Sequence, residues 1–189
     1  MKRLLCMLLI LAMTLTGALA LCSCDKGEDA KETDEKKTEA PKTVVIPEGY
    51  TKFDNGDLSF AYPSDWKKTE GSLTQLINST GAGNNITVVY EAKTDLYEKS
   101  SEAELKNLFS QSMAAVNMSI SNFKLSQTKN DFTDKITKMT CTTSIGASSM
   151  KQTMLVVTVG ERTYTITITE ANADQTLVDN VFNTLVVLK

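Results

Sequence analysis

The sequence predicts an α+β domain, an antiparallel β-sheet packed by helices. Three observations lead there. From Thr163 to Thr169, Tyr164, Ile166 and Ile168 alternate strictly with threonines, the period of a strand with one apolar face. Behind Ser101 and Glu104, which have capping-box spacing, Leu105, Leu108, Phe109, Met113 and Val116 recur at helical intervals. Asn55-Gly56 and Gly160 then punctuate apolar runs in the way that hairpin turns do.

In order along the chain, Tyr50–Phe53 and Leu58–Tyr62 are expected as strands around Asp54-Asn55-Gly56-Asp57, where Asn-Gly takes the positive φ values of a tight turn, and Pro63 stops the second. Leu73–Ile77 and Ile86–Tyr90 are short strands on either side of the Gly81-Ala82-Gly83-Asn84-Asn85 loop. The helix that starts after Ser101 comes next. Phe123–Gln127, Ile136–Ile145, Met150–Val159 and Thr163–Thr169 form a run of strands, with Asp131-Phe132-Thr133-Asp134 as a turn and Val159-Gly160-Glu161-Arg162-Thr163 as the last hairpin. The threonine face of the last strand is expected to look to water or to a polar neighbour. Asn172, three residues before Gln175, opens a closing helix with Leu177, Val178, Val181, Phe182 and Leu185 on one face. Residues 48–189 have the usual size of a single domain.

The first 47 residues read differently. Lys2 and Arg3 precede an apolar run from Leu4 to Leu21, the pattern of an export signal. The run approaches the roughly 20 residues of a membrane span, and its ending decides the reading. Leu21-Cys22-Ser23-Cys24 resembles a bacterial lipobox, so residues 1–23 are expected as a lipoprotein signal peptide and Cys24 as the lipidated residue. Cys22 competes less well, because the bulky Leu21 stands before it where a small residue is needed. Two or more acyl chains on Cys24 would hold the protein on the membrane durably, at about 0.8 kcal/mol per buried methylene. From Asp25 to Lys42 the chain is almost all Asp, Glu, Lys, Thr and Ala, with nothing large to bury, and residues 24–47 are expected as a disordered charged tether.

The composition excludes much chemistry. There is no histidine, hence no Ser-His-Asp or Cys-His catalysis and no histidine-based zinc site. Gly81-Ala82-Gly83 lacks the further glycine of a dinucleotide loop and the Gly-Lys-Ser/Thr of a phosphate loop. Asp131 and Asp134 do not have calcium-loop spacing, and Ser126-Gln127-Thr128-Lys129 matches Ser-x-x-Lys by letters only. A net charge of −3 offers no basic surface for nucleic acid. Once Cys6 and Cys22 leave with the signal and Cys24 carries lipid, Cys141 is the remaining thiol, expected as a buried apolar side chain with no disulfide partner. Catalytic, cofactor and metal residues are therefore all predicted as none.

Phe60-Ala61-Tyr62-Pro63-Ser64-Asp65-Trp66 is similar to the F-x-Tyr-Pro-x-x-Trp strand and turn near the start of PsbP-like domains, the family of the extrinsic P subunit of photosystem II and of many bacterial lipoproteins. The resemblance implies an α/β/α sandwich around an antiparallel sheet, with a C-terminal helix reaching Leu188, and a binding or assembly role without shared catalytic residues. Trp66 and Tyr62 are the candidate ligand or partner contacts, through their large rigid rings; packing of Phe60, Tyr62 and Trp66 into the core is the competing explanation. The function expected is a lipid-anchored, non-enzymatic module on the extracytoplasmic face of the cell membrane that binds an envelope protein or a small ligand. The alternative is an assembly factor of an envelope complex.

Overall fold

The computed structural model describes residues 43–71, 73–79, 83–171 and 174–189. Cys22, Cys24 and the tether up to Lys42 lie outside the described residues, as do Gly81, Ala82 and Asn172.

The elements in chain order are β1 (Tyr50–Asp54), β2 (Leu58–Pro63), β3 (Lys67–Thr69), β4 (Thr74–Ile77), β5 (Asn85–Ala92), α1 (Leu96–Lys99), α2 (Glu102–Ala114), β6 (Ser119–Thr128), β7 (Ile136–Ile145), β8 (Ser148–Val159), β9 (Arg162–Glu170), α3 (Gln175–Thr184) and β10 (Val186–Val187). A seven-stranded antiparallel sheet runs β3-β4-β5-β9-β8-β7-β6, and a three-stranded one runs β1-β2-β10. The class is α+β, as the sequence predicts.

Turn chemistry sets the first hairpin. Gly56 alone takes the left-handed conformation, at φ +83; Asn55 instead spends its side chain accepting from the Asp57 and Leu58 amides. Phe53 thereby faces Phe60 across the strands. Helix α2 opens with the expected capping box, since Ser101 Oγ accepts from the Glu104 amide at 3.3 Å and Glu104 Oε2 from the Ser101 amide at 2.8 Å. Asn117, at φ +58, then lets the Met118 amide return to the Met113 carbonyl and ends the turn, which leaves Val116 beyond the helix. Replacing Ser101 by alanine is expected to lower stability by about 1 kcal/mol, read as an earlier urea midpoint with an unchanged slope.

The two faces of the large sheet are covered differently. Ile86, Val88, Leu155, Val157, Tyr164, Ile166 and Ile168 look toward the small sheet and α3, making one cluster with Phe53, Leu58, Phe60, Leu177, Val178 and Val181. Met139, Cys141, Met154 and Val156 on the other face pack with Tyr97 of α1 and Leu105 of α2. The threonine face of β9 is here, and it is buried: Thr163, Thr165, Thr167 and Thr169 are all below a tenth exposed. It looks to polar neighbours in place of water, with Thr163 Oγ1 donating to the Thr94 carbonyl and Gln152 Nε2 to Thr169 Oγ1.

The C-terminal segment departs from expectation. Asp174, rather than Asn172, caps α3, accepting from the Leu177 amide at 3.0 Å. The helix stops at Thr184 rather than reaching Leu188, and Val186–Val187 add to the free edge of β2. Two β-branched residues suit a strand better than a helix end, and the loop after β6 holds them there. Asn130 Nδ2 donates to the Phe182 and Leu185 carbonyls, and Thr133 Oγ1 donates to the Leu185 carbonyl and accepts from the Val187 amide. Asn130 Oδ1 meanwhile accepts from the Phe132 and Thr133 amides, the side-chain turn expected at Asp131–Asp134.

The outer edge of β6 is guarded. Glu102 Oε2 accepts from the Leu125 amide at 2.8 Å, and Gln127 Nε2 donates to the Tyr97 carbonyl. Both contacts tie the edge strand to the helical segment above it.

Candidate functional site

After β5 the chain turns back over the threonine face. The Lys93 amide donates to the Glu161 carbonyl at 2.9 Å and the Thr94 amide to Thr163 Oγ1 at 3.0 Å. Thr94 Oγ1 accepts from the Leu96 amide and starts the single turn of α1. This segment forms a roof, while Thr137 of β7, Val156 and Thr158 of β8 and Thr163 of β9 form a floor.

Between roof and floor lies an inner chamber of about 80 Å³, bounded also by Tyr97, Glu98 and Lys135. It continues into a wider cleft of about 610 Å³ that adds Lys93 and Asp95 to its walls. Thr94, Glu98, Lys135 and Thr158 line both spaces, so they mark the waist where one becomes the other.

The charges at the mouth are mostly paired. Lys135 Nζ donates to Glu98 Oε2 at 2.6 Å, and Lys99 pairs with Asp95 one turn away, which holds the Asp95 carboxyl below its usual range. Lys93 has no carboxylate partner among the described residues. Deeper in, burial raises the pKa of Glu91, and burial, followed by the neighbouring Glu91 charge, raises that of Tyr97. The Tyr97 hydroxyl reaches Glu91 and Thr165. Hydroxyls, one ion pair and one unpaired ammonium can bind and orient a polar molecule. Among the described residues, no threonine hydroxyl of the lining is hydrogen-bonded to a carboxylate or an amine that would activate it. Among the described residues no three of His, Cys, Asp or Glu gather to hold a metal.

On the opposite face of the same sheet end, Asp57 collects three donors. Tyr164 Oη, Arg162 Nη1 at 3.1 Å and Lys189 Nζ at 2.5 Å all reach its carboxylate. The Lys189 ammonium and then the Tyr164 hydroxyl bring its pKa down to about 2. The Arg162 guanidinium also lies 4.7 Å over the exposed Tyr90 ring.

Trp66 and Tyr62, the residues named above as candidate contacts, are 8% and 9% exposed and belong to the main apolar cluster. Their rings fill the space between the small sheet and the large one. Cys141 is buried and its thiol pushed up to about 11 by that burial, so it is the inert apolar side chain expected. Cys24 lies outside the described residues. The cleft residues Lys93, Thr94, Glu98, Lys135 and Thr158 come from three stretches far apart in sequence, and none stood out there. The pair Thr94-Asp95, a turn-forming and capping dipeptide after a strand, was the one local signal for the roof.

No protein-family model matches the chain, and no curated protein matches it in sequence. Among solved structures it is similar to cyanobacterial PsbP (CyanoP) from Synechocystis sp. PCC 6803, with a TM-score of 0.60 and 11% identity over 78% of this chain and 98% of that one. It is also similar to a mutant form of the protein Mog1, with a TM-score of 0.51 and 9% identity over 74% of this chain and 96% of that one. At such identities the likeness is one of fold. That fold is the PsbP-like one implied by the Phe60–Trp66 stretch.

Proposed function

We propose that this chain is a lipid-anchored, extracytoplasmic, non-enzymatic binding module whose cleft beneath α1 takes a small polar ligand. The observation that carries the reading is the cleft itself, a hydroxyl-lined chamber opening past an ion pair. Small-molecule sites are concave and hold a few placed polar groups, and this cleft has both properties. The anchor is supported by Leu21-Cys22-Ser23-Cys24 and by the charged tether that follows. No helix among the described residues is long and apolar enough to cross a membrane.

Growth with radiolabelled palmitate tests the anchor. The wild-type chain and Cys22→Ala should incorporate label, and Cys24→Ala should lose it; label at the wild-type level in Cys24→Ala would overturn the assignment. For the binding role, native mass spectrometry of the protein extracted from its own membrane should show a small-molecule adduct. A bare chain that crosslinks stoichiometrically to one envelope protein would replace the ligand-binding role with an assembly role.

A further inference from the structure

The charges and hydroxyls of the cleft define a ligand class. Of the carboxylates lining it, Glu98 is neutralised by Lys135 at 2.6 Å and Asp95 by Lys99. The remaining charge in the lining is Lys93, so the mouth carries one uncompensated ammonium. Glu91, another carboxylate of this part of the chain, contacts the Tyr97 hydroxyl beneath the roof. Further in, the lining is hydroxyl-rich. Thr137 Oγ1 donates to Gln127 Oε1 and keeps its acceptor lone pairs, Thr94 Oγ1 accepts from Leu96 and keeps its proton, and the Thr158 hydroxyl has no hydrogen-bond partner among the described residues. A chamber of about 80 Å³ is large enough for a few waters, or for the short polar end of a molecule that replaces them.

We infer that the cleft binds a small hydroxylated oxyanion, a hydroxycarboxylate or a phosphorylated polyol, with its anionic group at Lys93 and its hydroxyls inside the chamber. This rests on the binding-module reading and names the ligand of the same site. Lys93 supplies the charge-assisted contact. The spare N–H groups of Lys135 complete it, since an ammonium has three donors and Glu98 occupies one. Thr94 can donate, Thr137 can accept and Thr158 can do both, which suits ligand hydroxyls that are donors and acceptors at once. The Glu98–Lys135 pair joins α1 to the start of β7 at the waist, so entry to the chamber requires that pair to part or the ligand to thread beside it.

The test uses the full lipidated chain in detergent micelles with 13C-labelled threonine methyls, titrated separately with glycerol 3-phosphate, glycerate, inorganic phosphate and glycerol. The methyls of Thr94, Thr137, Thr158 and Thr163 should shift and saturate with glycerol 3-phosphate or with glycerate, whichever source of the oxyanion is native. Inorganic phosphate and glycerol, each carrying half of the chemistry, should be at least about tenfold weaker, as should either productive ligand against Lys93→Met. Lys93 is exposed, so that variant should melt with the wild type, and Thr158→Val gives a second, independent loss. If glycerol works as well as the anions, or Lys93→Met binds like wild type, the oxyanion assignment is overturned while the module reading stands. If all four probes leave the four methyls unmoved, the ligand class is overturned; a natively extracted chain that still carries a bound molecule would preserve the broader reading, and a bare one would overturn both.

Discussion

Phe60→Ala is expected to lower stability by about 3–5 kcal/mol, the range for deleting a large aromatic side chain from a packed interior. Phe60 is 0% exposed on the central strand of the small sheet. Its ring stacks on Phe53 at 4.7 Å between centroids, and it belongs to the cluster that joins the small sheet, α3 and the large sheet. Truncation removes the aromatic pair and opens a void between layers whose backbones are fixed by separate hydrogen-bond ladders, so the site can collapse only in part. The measurement is urea unfolding followed by circular dichroism, with a melting temperature lower by on the order of ten degrees. A loss below about 1 kcal/mol would mean that the small sheet unfolds separately from the rest.

Asp57→Ala is the second large effect, expected at about 2–3 kcal/mol. It leaves the buried Tyr164 hydroxyl without its acceptor and two cations without their shared anion. The figure sits below that of a fully buried ion pair because Arg162 and Lys189 are half or more exposed, at 51% and 66%. The pH dependence has a definite sign. A carboxyl held at about 2 in the folded state, against 3.8 when free, contributes its full share above pH 4 and loses it as pH falls toward 2. Wild type and variant should therefore differ most near neutrality and converge between about pH 4 and pH 2. A constant gap across that range would show that the carboxylate charge is not what stabilises the corner.

Much of the fold was legible because its signals are local. Ile136–Ile145 has the same bounds in sequence and structure, and β8 and β9 extend their predicted runs by a residue or two. Ser101 and Glu104 marked the start of α2 because a capping box is a contact between near neighbours. What escaped is decided at long range. Lys67–Thr69 is exposed and carries no apolar alternation; it is a strand because β4 folds back beside it. Val186–Val187 read as the end of a helix because only the open edge of β2 and the Asn130 side chain make them a strand. The threonines of β9 read as facing either water or a polar neighbour, since nothing in their spacing reveals that Thr94 and Tyr97 will be folded over them. The cleft was illegible for the same reason: its charge pairing and its hydroxyl lining arise only once β5, β7, β8 and α1 meet.

The placement of β10 beside β2 bears on the order of events during synthesis. Val186 and Val187 pair with Ser59 and Leu58, and Lys189 reaches Asp57 across 132 positions of chain. The small sheet cannot close, nor can the Asp57 corner assemble, until the ribosome has passed residue 187. Contacts of such sequence separation form late and slowly, so an emerging chain lacks one wall of its principal core. A nascent chain in that state keeps its principal core open on one side until the final strand pairs with β2.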